Sequence, residues 1–223
     1  MPLILNIETS STICSVCLAK DGALIDYRED EQGNSHARVL TVFIADLMQK
    51  NGVAFANLDA IAVSAGPGSY TGLRIGTSVA KGLCYGARKP LIAVSTLLSM
   101  AGAVIKKTND PQAYYMPALD ARRMDIYTAI FNSRFEEIIS TRAVTVNDTF
   151  KSEIEHLNRL FVFGSGAEKC KQILISPPVH FIDGVNCDAR FLVPFSEAKA
   201  VEEAFEDIAY FEPNYLKEFG AKT

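Results

Sequence analysis

The sequence lacks any run of about 18 apolar residues, the length that a helix needs to cross a bilayer. Its apolar start, Leu3 to Ile7, is shorter than the core of a secretory signal, and no basic leader precedes it. The sequence also lacks an excess of positive charge, since 22 Lys and Arg against 26 Asp and Glu leave a net charge of −4. We therefore expect a cytoplasmic protein that does not bind membranes. Without a partner, it is also not expected to bind nucleic acid through a broad basic face.

Complete sets of metal ligands are also missing. The five cysteines, an odd number, favour a reducing compartment over a disulfide framework. Cys14 and Cys17 have the spacing of half a zinc knuckle, but no second cysteine pair and no His-x3-His pair completes it. On an alternating strand the two thiols would also face opposite sides. We therefore predict no metal site.

The common nucleotide and hydrolase signatures are absent too. No Gly-x4-Gly-Lys-Ser/Thr spacing occurs, and the Gly-x-Gly-x-x-Gly pattern breaks at Thr71. A Gly-x-Ser-x-Gly elbow is missed at residues 76–80, which lack the last glycine. His36, His156 and His180 lie far apart in sequence, which leaves only a spatial arrangement open. We therefore interpret the hydroxyls near the glycines as helix caps and packing groups rather than nucleophiles.

What the sequence does contain is a glycine-spaced run from Ser64 to Gly76, between an apolar strand candidate and a helical stretch. One interpretation is an anion cradle, because amides at the start of a helix attract phosphate or carboxylate. The residues of this vestigial nucleotide or anion loop would be Gly66, Gly68, Ser69, Thr71 and Lys81. The other interpretation is that the glycines only permit a tight loop and a closely packed helix. The residues alone leave both open.

Hydrophobic periodicity predicts two similar halves. The first half follows the order β-β-β-α-β-α-β-α, in which an antiparallel meander is extended by parallel strands through helical crossovers. Its predicted elements are strands 3–7, 13–18 and 23–29, helix 35–50, strand 58–64, helix 70–85, strand 91–94 and helix 96–106. The second half repeats the pattern more weakly, with strands 114–119, 125–131 and 135–140, helix 147–158, strand 160–163 and helix 167–174.

A polar break from Lys106 to Pro111 separates the halves. It predicts an N-terminal lobe of residues 1–106 and a C-terminal lobe of residues 107–223, and it leaves open whether the final helix packs back on the N-terminal lobe. By analogy of strand order, we predict the α/β class and the two-lobed actin, sugar-kinase and heat-shock-chaperone architecture (the ASKHA, ribonuclease H-like fold).

Short motifs spread along the chain carry a more specific resemblance. They are Leu5 to Ser10, Ser35 to Arg38, the glycine run through Gly76, Ala80 to Gly82, Leu119 to Arg122, and Glu212 to Lys217. In this order they resemble the TsaB (YeaZ) family, although that family usually has arginine at the position of Lys217. The resemblance implies a bacterial accessory subunit that is required for threonylcarbamoylation of the adenosine beside the anticodon of tRNAs reading codons that begin with A.

The resemblance also implies partners. These are a TsaD-like transferase, a TsaE-like ATPase, a threonylcarbamoyl-adenylate synthase, and a second copy of the chain when it is alone. Contact with tRNA is expected only through the complex. The chain itself is expected to require no cofactor, and ATP or ADP is expected only at an interface with a partner.

The same resemblance implies a subunit that is not an enzyme. TsaD-like enzymes hold a metal with a His-x3-His pair, and the matching positions here are Thr96 and Met100. The acids of the first loop of those enzymes are replaced by Thr12 and Ile13. Glu8, at the end of an apolar strand, is expected to bond to the adjoining loop backbone rather than act as a base. The alternative is an independent nucleotide-binding phosphotransferase or peptidase-like hydrolase of the same fold.

Two helices of the predicted N-terminal lobe are the predicted partner-binding surface. The helix over residues 35–50 is apolar around more than half of its circumference, while one stripe suffices for the core. The helix over residues 70–85 has small residues at four-residue spacing, which permit a close crossing. A four-helix contact with TsaD, or with a second copy, is predicted through His36, Arg38, Leu40, Phe43, Ile44, Leu47, Gly72, Arg74, Gly76 and Ala80. The alternative is that both helices only pack on the sheet.

Overall fold

The computed structural model describes residues 2–31, 36–174 and 179–217. The chain divides into two compact units. The first unit runs to Thr96 and also contains the later segment Cys187–Asn214. The second runs from Leu97 to Asn186 and resumes at Tyr215. Among the described residues, no helix combines the length and apolarity that crossing a membrane requires.

The sheet of the first unit has five strands in the order β3-β2-β1-β4-β5. Strands β1, β2 and β3 form an antiparallel meander, and β4 and β5 add to β1 in parallel. The elements are β1 (Leu3–Glu8), β2 (Cys14–Lys20), β3 (Ala23–Asp30), α1 (His36–Lys50), β4 (Ala60–Ser64), α2 (Tyr70–Ala87) and β5 (Leu91–Val94). The meander and the parallel extension predicted from periodicity are therefore confirmed.

Both faces of this sheet are covered, because alternate residues of each strand point to opposite sides. Leu5 and Ile7 of β1 pack with α1 and α2 in the larger core. Ile4, one position away, packs instead with Leu192 of the late helix α6 (Ala189–Val201). The arrangement gives three layers, helix, sheet and helix, around a strand that is almost wholly buried.

The second unit repeats the topology of the first. Its strand order is β10-β9-β6-β7-β8, so that each sheet places its meander on one side of the first strand and its parallel strands on the other. The elements are α3 (Thr96–Thr108), β6 (Tyr114–Asp120), β7 (Asp125–Asn132), β8 (Glu137–Thr145), α4 (Asp148–Ile154), β9 (Leu160–Phe163), α5 (Ala167–Lys171) and β10 (Val179–Ile182). Helices α4 and α5 contribute to its core.

The boundary between the units differs from the predicted one at residue 106. Helix α3 belongs almost wholly to the second unit, where Thr108 Oγ1 lies 2.8 Å from the hydroxyl of Tyr115. Helix α6 belongs to the first, where Ser196 Oγ donates to Asn6 Oδ1 at 2.7 Å. Of the predicted polar break from Lys106 to Pro111, residues 106–108 end α3 and the remaining residues lead into the turn that follows it. Helices α4 and α5 are shorter than predicted, because their last predicted residues lie in turns.

Candidate functional site

The glycine loop joins β4 to α2, as predicted. Ser69 caps α2, with its side-chain oxygen accepting from Gly72 N at 3.3 Å. The amide of Ser69 donates to the carbonyl oxygen of Ser10, in the β1–β2 loop, at 2.6 Å. Part of the donor set that could cradle an anion is therefore already bonded within the chain.

Close packing explains the glycines that follow. A Cβ on Gly72 would overlap the carbonyl oxygen of Thr9, and one on Gly76 would overlap the hydroxyl of Thr9. The Thr9 hydroxyl donates to the carbonyl of Gly72 at 2.8 Å, which holds the β1–β2 loop against the first turn of α2. Of the two interpretations of the glycine run, these contacts support the packing one at Gly72 and Gly76.

Lys81 does not belong to the loop, which corrects the prediction for this residue. It lies eleven residues after Tyr70 along α2, so its Cα is about 16 Å along the helix axis from that of Tyr70. Its ammonium donates to the carbonyls of Ala209 at 3.3 Å and Phe211 at 3.1 Å. Lys81 therefore ties the late segment to α2. Gly66, Gly68 and Thr71 remain in or beside the loop, and Thr71 is exposed.

Glu8 lies at the end of β1 and is completely buried. Its Oε1 accepts from the amide of Ser10 at 2.6 Å, which confirms the predicted bond to the adjoining loop. Burial raises the pKa of this carboxyl, and the negative charge of Asp188 adds to the rise, while hydrogen bonds from Ser10 and Ser64 oppose it. The group is thus stabilised in its neutral form.

Metal ligands are not assembled anywhere in the part of the chain that the structure describes, where no three His, Cys, Asp or Glu side chains could share an ion. Thr96 and Met100 are completely buried. A hydroxyl and a thioether do not replace the imidazole pair of a metal-dependent transferase, so these two positions do not fit a divalent ion.

All five cysteines are buried free thiols. Cys14 and Cys17 pack in different cores on opposite faces of the sheet, as their spacing on a strand predicts. Burial raises the pKa of Cys14, Cys84 and Cys170 to about 12 and raises the pKa of Cys17 and Cys187 further. Neutral thiols of this kind are poor nucleophiles and poor ligands.

Much of the predicted partner-binding set lies inside the first unit. Leu40, Ile44, Leu47 and Ala80 are core residues that are at most 2% exposed. His36 is also buried, and Gly72 and Gly76 face Thr9. The prediction that these residues present themselves to a partner is wrong, because the four apolar residues pack in the core and the β1–β2 loop covers the two glycines. Residues 32–35, which hold part of the predicted Ser35–Arg38 motif, lie outside the described residues.

Other residues of α1 and α2 form an exposed face. Arg38 and Arg74 are exposed, and the Arg74 guanidinium lies 5.5 Å from the ring centre of Tyr70. Phe43 is partly buried at the edge of the core, and Val42 beside it is 60% exposed. We call the following six residues the α1–α2 surface: Val39, Val42, Phe43, Ile75, Val79 and Leu83.

Most of the α1–α2 surface was missed from sequence. The signal that could have found Ile75, Val79 and Leu83 is their own four-residue spacing, one step away from that of the small residues of α2. Gly82 and Gly86 lie on the open side of the helix, since a Cβ on either would meet nothing within 4 Å. Small residues at such a position permit another helix to approach closely.

Comparison with known proteins gives concordant results. A family model described as TsaD, tRNA N6-adenosine threonylcarbamoyltransferase, matches residues 30–223. The TsaB protein of Escherichia coli K12 is 35% identical over 126 residues, which are 56% of this chain and 53% of that protein. The TsaB protein of Buchnera aphidicola subsp. Baizongia pistaciae is 24% identical over 96% of this chain and 98% of its own length. The chain thus matches about half the length of the E. coli relative.

Solved structures show the same fold. The YeaZ structure from Pseudomonas aeruginosa superposes with a TM-score of 0.80 at 24% identity, over 97% of this chain and all of that one. A polyphosphate/ATP-glucomannokinase from Arthrobacter superposes with a TM-score of 0.50 at 12% identity, over 92% of this chain and 99% of that one. The predicted ASKHA architecture is confirmed, and the chain belongs to the TsaB (YeaZ) family.

Proposed function

We propose that this chain is a non-catalytic subunit in the biosynthesis of threonylcarbamoyladenosine in tRNA, and that it binds and supports a TsaD-like transferase. The names of its relatives and the matching family model support the process. The observation that carries the partner role is the α1–α2 surface, where Val42 is 60% exposed and the other five apolar side chains are only partly buried. An exposed apolar patch with neighbouring arginines is typical of a protein interface.

The wider assembly follows from the same proposal. A TsaE-like ATPase joins the pair, a threonylcarbamoyl-adenylate synthase supplies the activated group, and tRNA is engaged through the complex. When it is alone, the chain pairs with a second copy through the same surface. Five free thiols support a reducing, cytoplasmic compartment. The chain needs no cofactor of its own, and ATP or ADP binds only where a partner completes the site.

Reconstitution of tRNA modification with and without this chain tests the proposal. We expect the purified transferase, ATPase and synthase to modify tRNA when the chain is present, and we expect the rate to fall at least tenfold when the chain is left out. Equal rates would remove the proposed role. Titration of the isolated chain with ATP tests the alternative, because saturable binding with turnover would indicate an independent phosphotransferase.

A charge placed on the α1–α2 surface tests the partner site. Val42→Glu puts a carboxylate on an exposed apolar position of α1. We expect it to weaken binding to the transferase by about 1–4 kcal/mol, the range for central interface residues, without lowering the melting temperature. Gln49→Glu adds the same charge to an exposed position near the end of α1 and should leave binding unchanged. Equal binding of Val42→Glu and the unchanged protein would place the interface elsewhere.

Phe43→Ala is a second variant of this surface. Phe43 packs against the core as well as lying at its edge, so part of its effect is on folding. Binding must therefore be compared at a temperature where both proteins are fully folded. A further loss of about 1–4 kcal/mol in affinity is expected if the ring contacts the partner.

A further inference from the structure

A cleft opens between the last turn of α2 and the late segment over residues 207–211. Its volume is about 560 Å³, which lies within the range of about 300–1,000 Å³ that is typical of ligand sites. The six residues that line it all belong to the first unit: Cys84, Tyr85, Gly86, Arg88, Lys89 and Ile208. We call this feature the α2 cleft. The proposed function makes no use of it.

The walls of the α2 cleft are held in place by bonds within the chain. Lys81, one turn before the cleft in α2, donates to the carbonyls of Ala209 at 3.3 Å and Phe211 at 3.1 Å. The amide of Lys89 donates to the carbonyl of Cys84 at 2.9 Å, which closes the end of the helix. Both walls are therefore fixed before any ligand binds.

The lining combines an apolar base with unpaired positive charge. Cys84 is completely buried, and Ile208 packs against the core of the first unit. Tyr85 is 82% exposed. Neither the Arg88 guanidinium nor the Lys89 ammonium has an ion pair with any described residue, and no acid is among the described residues that line the cleft. The cleft therefore offers an apolar surface, an accessible ring and two cations that lack a counter-charge.

The α2 cleft is separate from the α1–α2 surface. Residues two apart on a helix are separated by about 200° around its axis, so Tyr85 points away from Leu83 and Lys81 points away from Val79. The late segment lies against one flank of α2, and the apolar residues of the α1–α2 surface lie on the other. The two features can therefore be tested by separate substitutions.

We propose that the α2 cleft binds an acidic peptide segment of a partner protein, in which an apolar side chain is flanked by carboxylates. The apolar side chain packs on Tyr85 and Ile208, and the carboxylates pair with Arg88 and Lys89. A guanidinium binds a carboxylate through two parallel hydrogen bonds, which fixes the orientation of the segment as well as its charge.

The surroundings of the α2 cleft favour a peptide over a nucleotide or a nucleic acid. Gly86 leaves the backbone open to an extended chain, because a Cβ there would meet nothing within 4 Å. The negative end of the α2 dipole also lies at the cleft. Asp207, next to Ile208 in sequence, accepts from the amide of Ala209 at 2.8 Å and adds negative charge nearby. Closely spaced phosphates are disfavoured in this field more than single carboxylates.

Selection from a phage-displayed library of random short peptides on the immobilised full chain tests the site. We expect the selected peptides to carry Asp or Glu on both sides of an aromatic residue or leucine. The affinity of a fluorescein-labelled selected peptide is then measured by fluorescence anisotropy. Arg88→Asn with Lys89→Gln removes both cations, and asparagine suits the positive φ of residue 88, which is +54°. We expect this variant to keep its melting temperature and to lose at least tenfold in affinity.

Two matched controls belong to this test. Lys106→Gln with Lys107→Gln removes the same charge from two exposed positions of α3 and should change affinity by less than twofold. Tyr85→Ala should weaken binding at least fivefold. Tyr210→Ala, at a tyrosine that is 85% exposed and does not line the cleft, should change affinity by less than twofold. Equal losses in a variant and its control would indicate a general effect of charge or of aromatic surface, and would overturn the assignment.

Other results also overturn it. Selected peptides without acidic residues, a selection that enriches no peptide, or unchanged affinity after Arg88→Asn with Lys89→Gln exclude an acidic segment as the ligand. Displacement of the peptide by micromolar ATP or by a tRNA transcript would assign the cleft to a phosphate ligand instead. The inference does not depend on the proposed function, because the peptide titration contains no transferase and stays readable if tRNA modification proves independent of the chain.

Discussion

At the scale of single residues, the atoms that surround a position explain why it does or does not require glycine. Gly72 is required because the β1–β2 loop crosses α2 at the backbone of Thr9. Gly82, in the same helix, faces open space. The two glycines look equivalent in the sequence, and only the position of the neighbouring loop distinguishes them.

Alanine at these two glycines should therefore have opposite effects on stability. Gly72→Ala is expected to lower the free energy of unfolding by about 1–3 kcal/mol, because the new methyl group overlaps the carbonyl oxygen of Thr9. Gly82→Ala is expected to raise it by about 0.5–1 kcal/mol, since alanine has the higher helix propensity. Urea unfolding of the two variants checks both. A stable Gly72→Ala protein would contradict the close contact.

Glu8 makes stability depend on pH. The raised pKa means that the folded state binds this proton more tightly than the unfolded chain does. The contribution of Glu8 is therefore fully present below its ordinary pKa of 4.5 and is lost as pH rises through the folded-state pKa. Each unit by which the pKa is raised corresponds to about 1.4 kcal/mol.

Glu8→Gln removes this dependence while keeping the shape of the side chain. We expect the variant to be more stable than the unchanged protein at pH 8 and to lose that advantage at pH 4, as measured by urea unfolding across this range. Glu212→Gln, at an exposed position, is the control and should not change the free energy of unfolding at pH 4 or at pH 8. A difference that stays constant with pH would show that Glu8 is not buried in its neutral form.

At the scale of elements, the late helix α6 packs on the first unit, an arrangement that the sequence had left open. It follows β10 of the second unit in sequence, yet it covers the second face of the first sheet. Its Lys199 ammonium donates to the carbonyl of Ala93 in β5 at 2.8 Å, and the amide of Ala189 donates to Ser15 Oγ in β2 at 2.9 Å. These bonds fix the helix across several strands.

Leu192→Ala tests the position of α6. Leu192 is completely buried, and truncating it is expected to cost about 2–5 kcal/mol. Hydrogen exchange should accelerate in β1, β4 and β5, against which the side chain packs. Val201→Ala in the same helix, at a position 72% exposed, should change stability by less than about 0.5 kcal/mol. Faster exchange confined to β6 and β9 would contradict the assignment of α6.

At the scale of the whole molecule, two units of the same strand order each enclose a core. All five cysteines are buried, and none forms a disulfide with another. Burial excludes water from each thiol, and this loss of solvation raises the pKa of the thiol.

Thiol labelling measures this property for the entire chain. We expect fewer than one thiol per chain to react within minutes with a disulfide reagent at pH 8, and all five to react in denaturant. The unfolded protein is its own control for reagent and stoichiometry. Rapid labelling of two or more thiols in the native protein would contradict the burial of the cysteines.

The order and direction of the strands could be predicted from the amino-acid sequence. The short apolar run in Leu3–Glu8 predicts a buried strand, and the four-residue spacing in α1 and α2 predicts helices. Short connections then restrict how neighbouring strands pair. The bond from Glu8 to the loop and the opposite faces of Cys14 and Cys17 also followed from local spacing. Family membership followed from short motifs such as Leu5 to Ser10.

Which apolar residues are accessible depends on how the helices pack on the sheet, and the sequence did not predict it. Helix α1 is apolar around more than half of its circumference, so its sequence permits several rotations, and packing on the sheet buried Leu40 and Ile44 while leaving Val42 exposed. The contact of Lys217 with Asp125 spans 92 residues. No periodic pattern encodes such a contact, because it depends on where two distant segments meet in space.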